Sequence, residues 1–212
     1  LSTITTHSAN IAIGKLAGQD LVSGGNTLIG FEAGLQNTSG AQNIAVGYSA
    51  MGAGITTGSN NIAVGIQAGN AITSGEYNIF MGYQSGLDGE HPSTGAKITG
   101  DGNVFIGKYC GKSHFGGSNN VGIGTDVMSI ADNCEANNCT VLGNYAGNEI
   151  TSANNSTLIG YRAGSDYGPD GHVISGGNKI VLGNSSNTSS HIQVDWTIAS
   201  DERDKADKTN FT

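Results

Sequence analysis

The sequence predicts an all-β protein, a parallel β-solenoid (β-roll) of about ten coils with 16–19 residues each. A block typified by Asn-Ile-Ala-Val-Gly recurs ten times in 212 residues. Its spacing of about 17 residues leaves no room for a pair of helices. Its apolar positions are mostly β-branched, which is typical of strands.

The composition favours many thin stacked layers over one large core. Apolar residues make up 36% of the chain, and glycine supplies 35 of its 212 residues. Proline occurs only twice and no Gly-X-Y period is present, which excludes collagen. Charged residues make up only 12%, so we do not expect disorder driven by charge repulsion.

Charge and hydropathy exclude several classes of protein. The net charge of −8 argues against a nucleic-acid partner, since phosphate binding needs clustered Lys and Arg. No apolar run approaches about 18 residues, so neither membrane insertion nor a signal peptide is predicted. No Cys/His spacing matches a zinc site, and we expect no metal and no cofactor. Because the chain begins with Leu1 rather than Met, we expect a fragment or a processed product.

Each block ends on a glycine, which we expect to mark a turn with positive φ or a close approach of two backbones. Two intervals between these glycines are longer, because of insertions at about residues 87–102 and 165–177. Long loops on a rigid scaffold often carry binding residues. The ten glycines are Gly14, Gly30, Gly47, Gly65, Gly82, Gly107, Gly124, Gly143, Gly160 and Gly183.

The three residues before each glycine form a strand that is apolar on both faces. The first and third, such as Ile44 and Val46, share one face because side chains alternate with period two. The residue between them, such as Ala45, faces the other way and would be polar in a lone solenoid, yet it is never polar. We assign one face to the coil's own core and expect another copy of the chain to cover the other.

Two further columns are regular. Three residues after the glycine the side chain is small in nine copies, with Val127 the exception, which predicts tight packing near an axis. The first block position is Asn in seven copies, where stacked amides can form a hydrogen-bonded ladder or, alternatively, form turns. These are Asn10, Asn26, Asn43, Asn61, Asn78, Asn103 and Asn120.

The block Asn-Ile-Ala-Val-Gly-x-x-Ala resembles the head repeats of trimeric autotransporter adhesins over roughly residues 10–187. The resemblance implies a homotrimeric, left-handed parallel β-roll. Similar repeats occur in phage tail fibres, so the block alone does not distinguish a bacterial surface from a virion.

The segment SDERDK at Ser200–Lys205 resembles the start of the endosialidase-type intramolecular chaperone (S74 peptidase family) of phage tail spikes and fibres, and the sequence resembles cyanophage fibre proteins. In that family the chaperone templates trimerisation and then cuts itself off before the serine. By resemblance, Ser200 is the nucleophile and Lys205 its base. Alternatively, this segment is a solvated polar tail. The family's chaperone body does not follow Thr212, so we expect a truncated domain.

The predicted domains are the solenoid at residues 1–187, an extended closing segment at 188–199 and the start of the chaperone at 200–212. Two further groups of residues have two interpretations each. Cys134 and Cys139 could form a disulfide or remain free thiols. Asp88, Glu90 and His91 could bind a metal or belong to a solvated loop.

The column after the repeat glycine is rich in aromatic residues. Tyr48, Tyr83 and Tyr161 lie in it, with Phe31 and Ile66. Exposed aromatic rings could stack on sugars, or the column could simply pack.

The predicted function is that of a phage tail fibre segment in the virion. The segment would be a homotrimer, joined to other tail-fibre or baseplate proteins, that presents a surface to a host glycan or protein receptor. A bacterial trimeric adhesin at the cell surface and a polysaccharide-degrading tailspike are the alternatives. We expect no enzymatic activity beyond a single self-cleavage before Ser200, and no paired carboxylates for glycoside cleavage are evident.

Overall fold

The computed structural model describes residues 9–87, 97–114, 116–129, 134–165 and 176–187. This part of the chain forms ten three-residue strands and no helix. The strands are β1 (Ile11–Ile13), β2 (Thr27–Ile29), β3 (Ile44–Val46), β4 (Ile62–Val64), β5 (Ile79–Met81), β6 (Val104–Ile106), β7 (Val121–Ile123), β8 (Thr140–Leu142), β9 (Thr157–Ile159) and β10 (Ile180–Leu182).

The strands form one ten-stranded sheet in which each strand pairs with the next along the chain. Every pair is parallel and in register, so that Ile44 lies beside Ile62 and Val46 beside Val64. Parallel neighbours cannot be joined by a hairpin, and the chain must travel around a coil between them. The all-β, parallel β-solenoid fold predicted from the repeat is therefore confirmed.

Two further sides complete each coil. A tight turn follows the repeat glycine directly. Beyond it, the third side of the coil carries isolated parallel bridges, such as those between Asn37 and Thr56 and between Ile72 and Ile98. We call the residues between this turn and the next strand of the chain the third side. Stacking of all three sides gives the described chain a continuous backbone hydrogen-bond network between coils.

The core is one column wide on the strand side. The middle residue of each strand points into the coil, and Leu28, Ala45 and Leu158 there have no exposed surface. Phe80 and Phe105 stack along this column with ring centroids 5.9 Å apart. The small residues three positions after the glycine fill the space opposite them, and eight of the nine that are small are buried, whereas Ser186 in the last described coil is exposed.

This arrangement reverses the expected orientation of the strand. The middle residue of each strand was expected to face outward, where it would be polar in a lone solenoid. In the structure it lines the core, which explains why it is apolar. The first and third residues point outward instead. The physical reason is the narrow coil, whose interior admits one side chain from each three-residue strand, so the other two must lie outside.

The repeat glycines satisfy both steric conditions at once. From Gly14 to Gly160 their φ lies between 121° and 139°, a region open almost only to glycine. A Cβ at Gly143 would lie 2.6 Å from the carbonyl oxygen of Gly160 in the next coil. No side chain fits there, because neighbouring backbones are in contact.

The first-position asparagines form an amide ladder inside the solenoid. The Oδ1 of Asn61 accepts from the backbone N–H of Asn78 at 2.9 Å and from its Nδ2 at 3.1 Å. The Nδ2 of Asn61 donates to Oδ1 of Asn43 and, at 2.8 Å, to the carbonyl of Gly75 on the third side. The same pattern extends to Asn103 and Asn120. Each amide thus ties one coil to the next and one side of a coil to another.

Candidate functional site

The first surface of interest is the outer face of the sheet, formed by the first and third residues of the ten strands, which we call the strand face. Nine large apolar side chains on it are between 36% and 67% exposed. They are Ile11, Ile13, Ile44, Met81, Ile106, Ile123, Ile159, Ile180 and Leu182.

The strand face is continuous and uncharged. Strand register places Met81 beside Ile106, and Ile106 beside Ile123, so the third residues of the strands form an unbroken apolar row. The only polar side chains of the strand face are three threonines in the row of first residues. No other described part of the chain covers it. Parallel sheets are normally covered on both faces, and a contiguous apolar patch on a soluble protein marks an interaction surface.

The second surface consists of the first two residues after each repeat glycine, which we call the aromatic strip. Within it, Phe31 and Tyr48 stack with centroids 5.1 Å apart and planes inclined by 12°. Tyr83 meets Tyr109 edge-on at 5.5 Å. Because consecutive coils lie one strand spacing apart, side chains at equal or adjacent positions of neighbouring coils are in contact. The rings therefore pack on one another and still remain partly exposed.

Cations accompany these rings. Lys108 Nζ lies 4.8 Å from the centroid of Tyr109, and Lys112 Nζ lies 5.3 Å from it. The guanidinium of Arg162 lies 5.6 Å from the ring of Tyr145 and 5.4 Å from that of Tyr161. These are cation–π distances.

Sequence reasoning found only half of the aromatic strip. It considered the first position after the glycine, whereas Tyr109, Tyr145 and Arg162 occupy the second. The backbone there is left-handed, with φ of 57°, 59° and 55°. The aromatic residues at this second position in the aligned repeats were the available signal, but the left-handed backbone carries no signature when the residue is not glycine or asparagine.

Burial makes one histidine unusual. His114 lies in the core against Phe105, with ring centroids 5.0 Å apart, and is 1% exposed. Burial lowers its pKa to about 4, against a smaller opposing effect of its hydrogen bond with the Gly117 carbonyl. The ring is therefore neutral at pH 7. Sequence reasoning did not identify this residue.

The three cysteines are free and buried thiols. Burial raises the pKa of Cys110 and of Cys134 to about 12, and it also raises the pKa of Cys139. Cys139 occupies the asparagine position of its coil, where its N–H donates to Oδ1 of Asn120 and its Sγ donates to the carbonyl of Ala153. These contacts favour the free-thiol interpretation over a disulfide.

Several predicted residues lie outside the described residues. These are Ser200 and Lys205 of the chaperone motif, Asp88, Glu90 and His91, and most of both insertions. Within the described ranges, no group of three His, Cys, Asp or Glu side chains is arranged to hold a metal ion. In the same part of the chain, no helix is long and apolar enough to cross a membrane.

Comparison with protein-family models, with curated proteins and with solved structures gives no match to this chain. The two surfaces and the sequence motifs are therefore the basis for assigning a function.

Proposed function

We propose that the chain is a segment of a phage tail fibre, a homotrimer with left-handed coils that presents a receptor-binding surface to the host. The observation that carries the proposal is the exposed, uncharged strand face. A monomer would leave nine large apolar side chains in water along the whole described array. Association of three copies through this face would remove them from water, which is the main favourable contribution to protein association.

The sequence motifs support a fibre over other trimeric assemblies. The repeats resemble those of trimeric adhesin heads and of phage fibres alike. The motif SDERDK at residues 200–205 resembles the start of a tail-fibre chaperone and favours the phage. A stiff trimeric rod also presents three equal surfaces, so that weak contacts with a receptor combine into useful avidity.

The mass of the full chain in solution tests the proposal. Light scattering is expected to give three times the 21.5 kDa of the single chain. The double variant Ile106→Lys/Ile123→Lys puts two ammonium groups on the middle of the strand face. Because burying unpaired charge is costly, we expect this variant to be a soluble monomer or to dissociate at micromolar concentration.

Val22→Lys/Ile55→Lys is the matched control. Both residues are exposed apolar side chains on the third side, so the control adds the same charge away from the strand face and should remain trimeric. A monomeric wild-type chain would contradict the proposal, as would a stable dimer. Equal masses for the two double variants would show that association uses another surface.

A further inference from the structure

We infer that the aromatic strip is a binding site for an acidic, carboxylate-bearing polysaccharide that lies along the solenoid axis. The inference rests on the proposed adhesive function and names the class of receptor and the residues that would contact it.

The strip offers partly exposed tyrosine rings at intervals along the rod. Tyr48 is 51% exposed, Tyr83 43% and Tyr161 54%. Each of these rings is held by a neighbouring aromatic ring at a distance of 5.1 to 6.3 Å between centroids. A ring that is oriented before binding loses little conformational entropy when a ligand stacks on it. Exposed, pre-oriented tyrosines are suited to the apolar C–H faces of sugar rings, while their hydroxyls remain available as hydrogen-bond partners.

The charge on the strip is opposite to that of the whole chain. The chain carries a net charge of −8, yet four of the six Lys and Arg residues in the described ranges lie on the strip or against its rings. The strip carries two carboxylates. These four cations are Lys15, Lys108, Lys112 and Arg162.

The two carboxylates neutralise only part of the positive charge of the strip. Glu32 accepts a hydrogen bond from the Ser49 hydroxyl at 3.2 Å. Asp126 is partly buried, which raises its pKa, although Lys108 and Lys112 oppose this shift. Asp126 thus offsets part of the charge of this pair. The strip retains a net positive charge, which favours an anionic partner over a neutral one.

Uncharged hydrogen-bonding groups lie between the aromatic sites. Gln84 Nε2 donates to Gln67 Oε1 at 2.6 Å, and both residues belong to the strip. Asn144 is exposed in the coil between Asp126 and Tyr161. Rings, amides and scattered cations in one line match a ligand with alternating apolar faces, hydroxyls and carboxylates. A polymer of acidic sugars has this pattern, whereas nucleic acid would require a denser cationic surface.

Isothermal titration calorimetry on the full chain tests the site. The probes are polygalacturonate, alginate and polysialic acid, with methyl-esterified polygalacturonate as the neutral counterpart of the first. We expect saturable binding of at least one acidic polymer, with affinity at least about fivefold below wild type in Tyr48→Ala/Tyr161→Ala. Lys108→Gln/Lys112→Gln should weaken binding similarly and reduce its dependence on salt.

Tyr77→Ala and Lys97→Gln are matched controls, since both residues are exposed and lie off the strip. They should leave affinity within about twofold of wild type. The inference is overturned if none of the acidic polymers binds, if the esterified polymer binds as tightly as the acid, or if the strip variants bind like the controls.

The oligomeric state separates this inference from the proposed function. Each variant is also measured by light scattering. A trimer that binds no acidic polymer refutes the strip site and leaves the fibre proposal intact. A monomeric wild-type chain refutes the fibre proposal, and binding that still depends on the strip would then keep the site as a property of the single solenoid.

Discussion

At the scale of single residues, His114 shows how burial determines the form of an ionisable group. Its Nε2 lies 3.1 Å from the carbonyl of Gly117, which can only accept a hydrogen bond, so Nε2 carries the proton. The amide of Asn120 also lies 3.1 Å from Nε2, but its two hydrogens are directed to Asn103 Oδ1 and the Ala136 carbonyl. Nδ1 is buried and, among the described residues, has no partner. Protonating Nδ1 would place a charge in the core.

This environment predicts that acid destabilises the protein. Between about pH 6.5 and about pH 4 the unfolded chain binds a proton at His114 that the folded chain does not bind. The free energy of unfolding therefore falls as the pH falls, by up to about 3 kcal/mol from this group. Urea unfolding at pH 7 and at pH 4 measures the loss.

His114→Gln is the comparison, because glutamine does not titrate. The variant should lose less stability over this pH interval than the wild type, whatever its stability at pH 7. Carboxylates elsewhere contribute equally to both proteins, so the difference isolates the histidine. Parallel pH profiles would mean that His114 keeps an ordinary pKa in the folded state.

At the scale of the structural element, a three-residue strand is too short to be stable alone. Each inner strand is held by two parallel neighbours, and β1 to β7 are also held by the amide ladder at their first end. Asn61 makes ladder contacts to both neighbouring coils and to the third side. From Asn26 to Asn120 the ladder is fully buried, so water cannot replace a bond that is lost there.

Removing one ladder amide should therefore be costly. In Asn61→Ala the backbone N–H of Asn78 and the carbonyl of Gly75 lose their partner inside the solenoid. Each unsatisfied buried group costs about 1–3 kcal/mol, so we expect a loss of about 2–5 kcal/mol in unfolding free energy, measured by urea denaturation at constant protein concentration.

Asn144→Ala provides the control for this change. Its Oδ1 accepts from the backbone N–H of Thr125 at an exposed site, where water can take its place. Substitutions of this kind usually alter stability by at most about 0.5 kcal/mol. Similar losses in the two variants would show that the buried ladder is not a main source of stability.

At the scale of the whole molecule, stability is distributed along the stack, because each described strand contacts its neighbours in sequence and no distant described strand. The interior of a coil is narrow, and small residues such as alanine line it together with one or two larger side chains. The strand face holds large apolar side chains that the single chain leaves exposed. A trimer through this face would add a second core of its own.

The proposed trimer predicts a melting temperature that depends on concentration. Association stabilises the folded state by mass action, so Tm of the wild type should rise by several degrees over about a hundredfold increase in protein concentration. The variant Ile106→Lys/Ile123→Lys should show a lower Tm that does not change with concentration. Differential scanning fluorimetry measures both, and a concentration-independent Tm for wild type would count against a reversible trimer.

Much of the fold follows from the sequence because the repeat is a local signal. The spacing of the glycines, the β-branched positions and the first-position asparagines each reflect a condition that recurs in every coil. A backbone approach as close as that of Gly143 to Gly160 admits glycine alone, and an asparagine amide can bond to its equivalent one coil away. Because these conditions recur in every coil, the residues that meet them recur at a fixed spacing in a single sequence.

Only the tertiary structure decided which side chains of the strand face inward and which residues are in contact between coils. Alternation along the strand shows that the first and third residues face away from the middle residue. Because all three positions are largely apolar, the width of the closed interior decides which of them line the coil. Likewise, the core position of His114 and the left-handed turn that places Tyr109 and Arg162 on the strip depend on contacts between coils. The sequence by itself determined the period and the strand; packing determined which side of the strand faces inward and which groups meet on the surface.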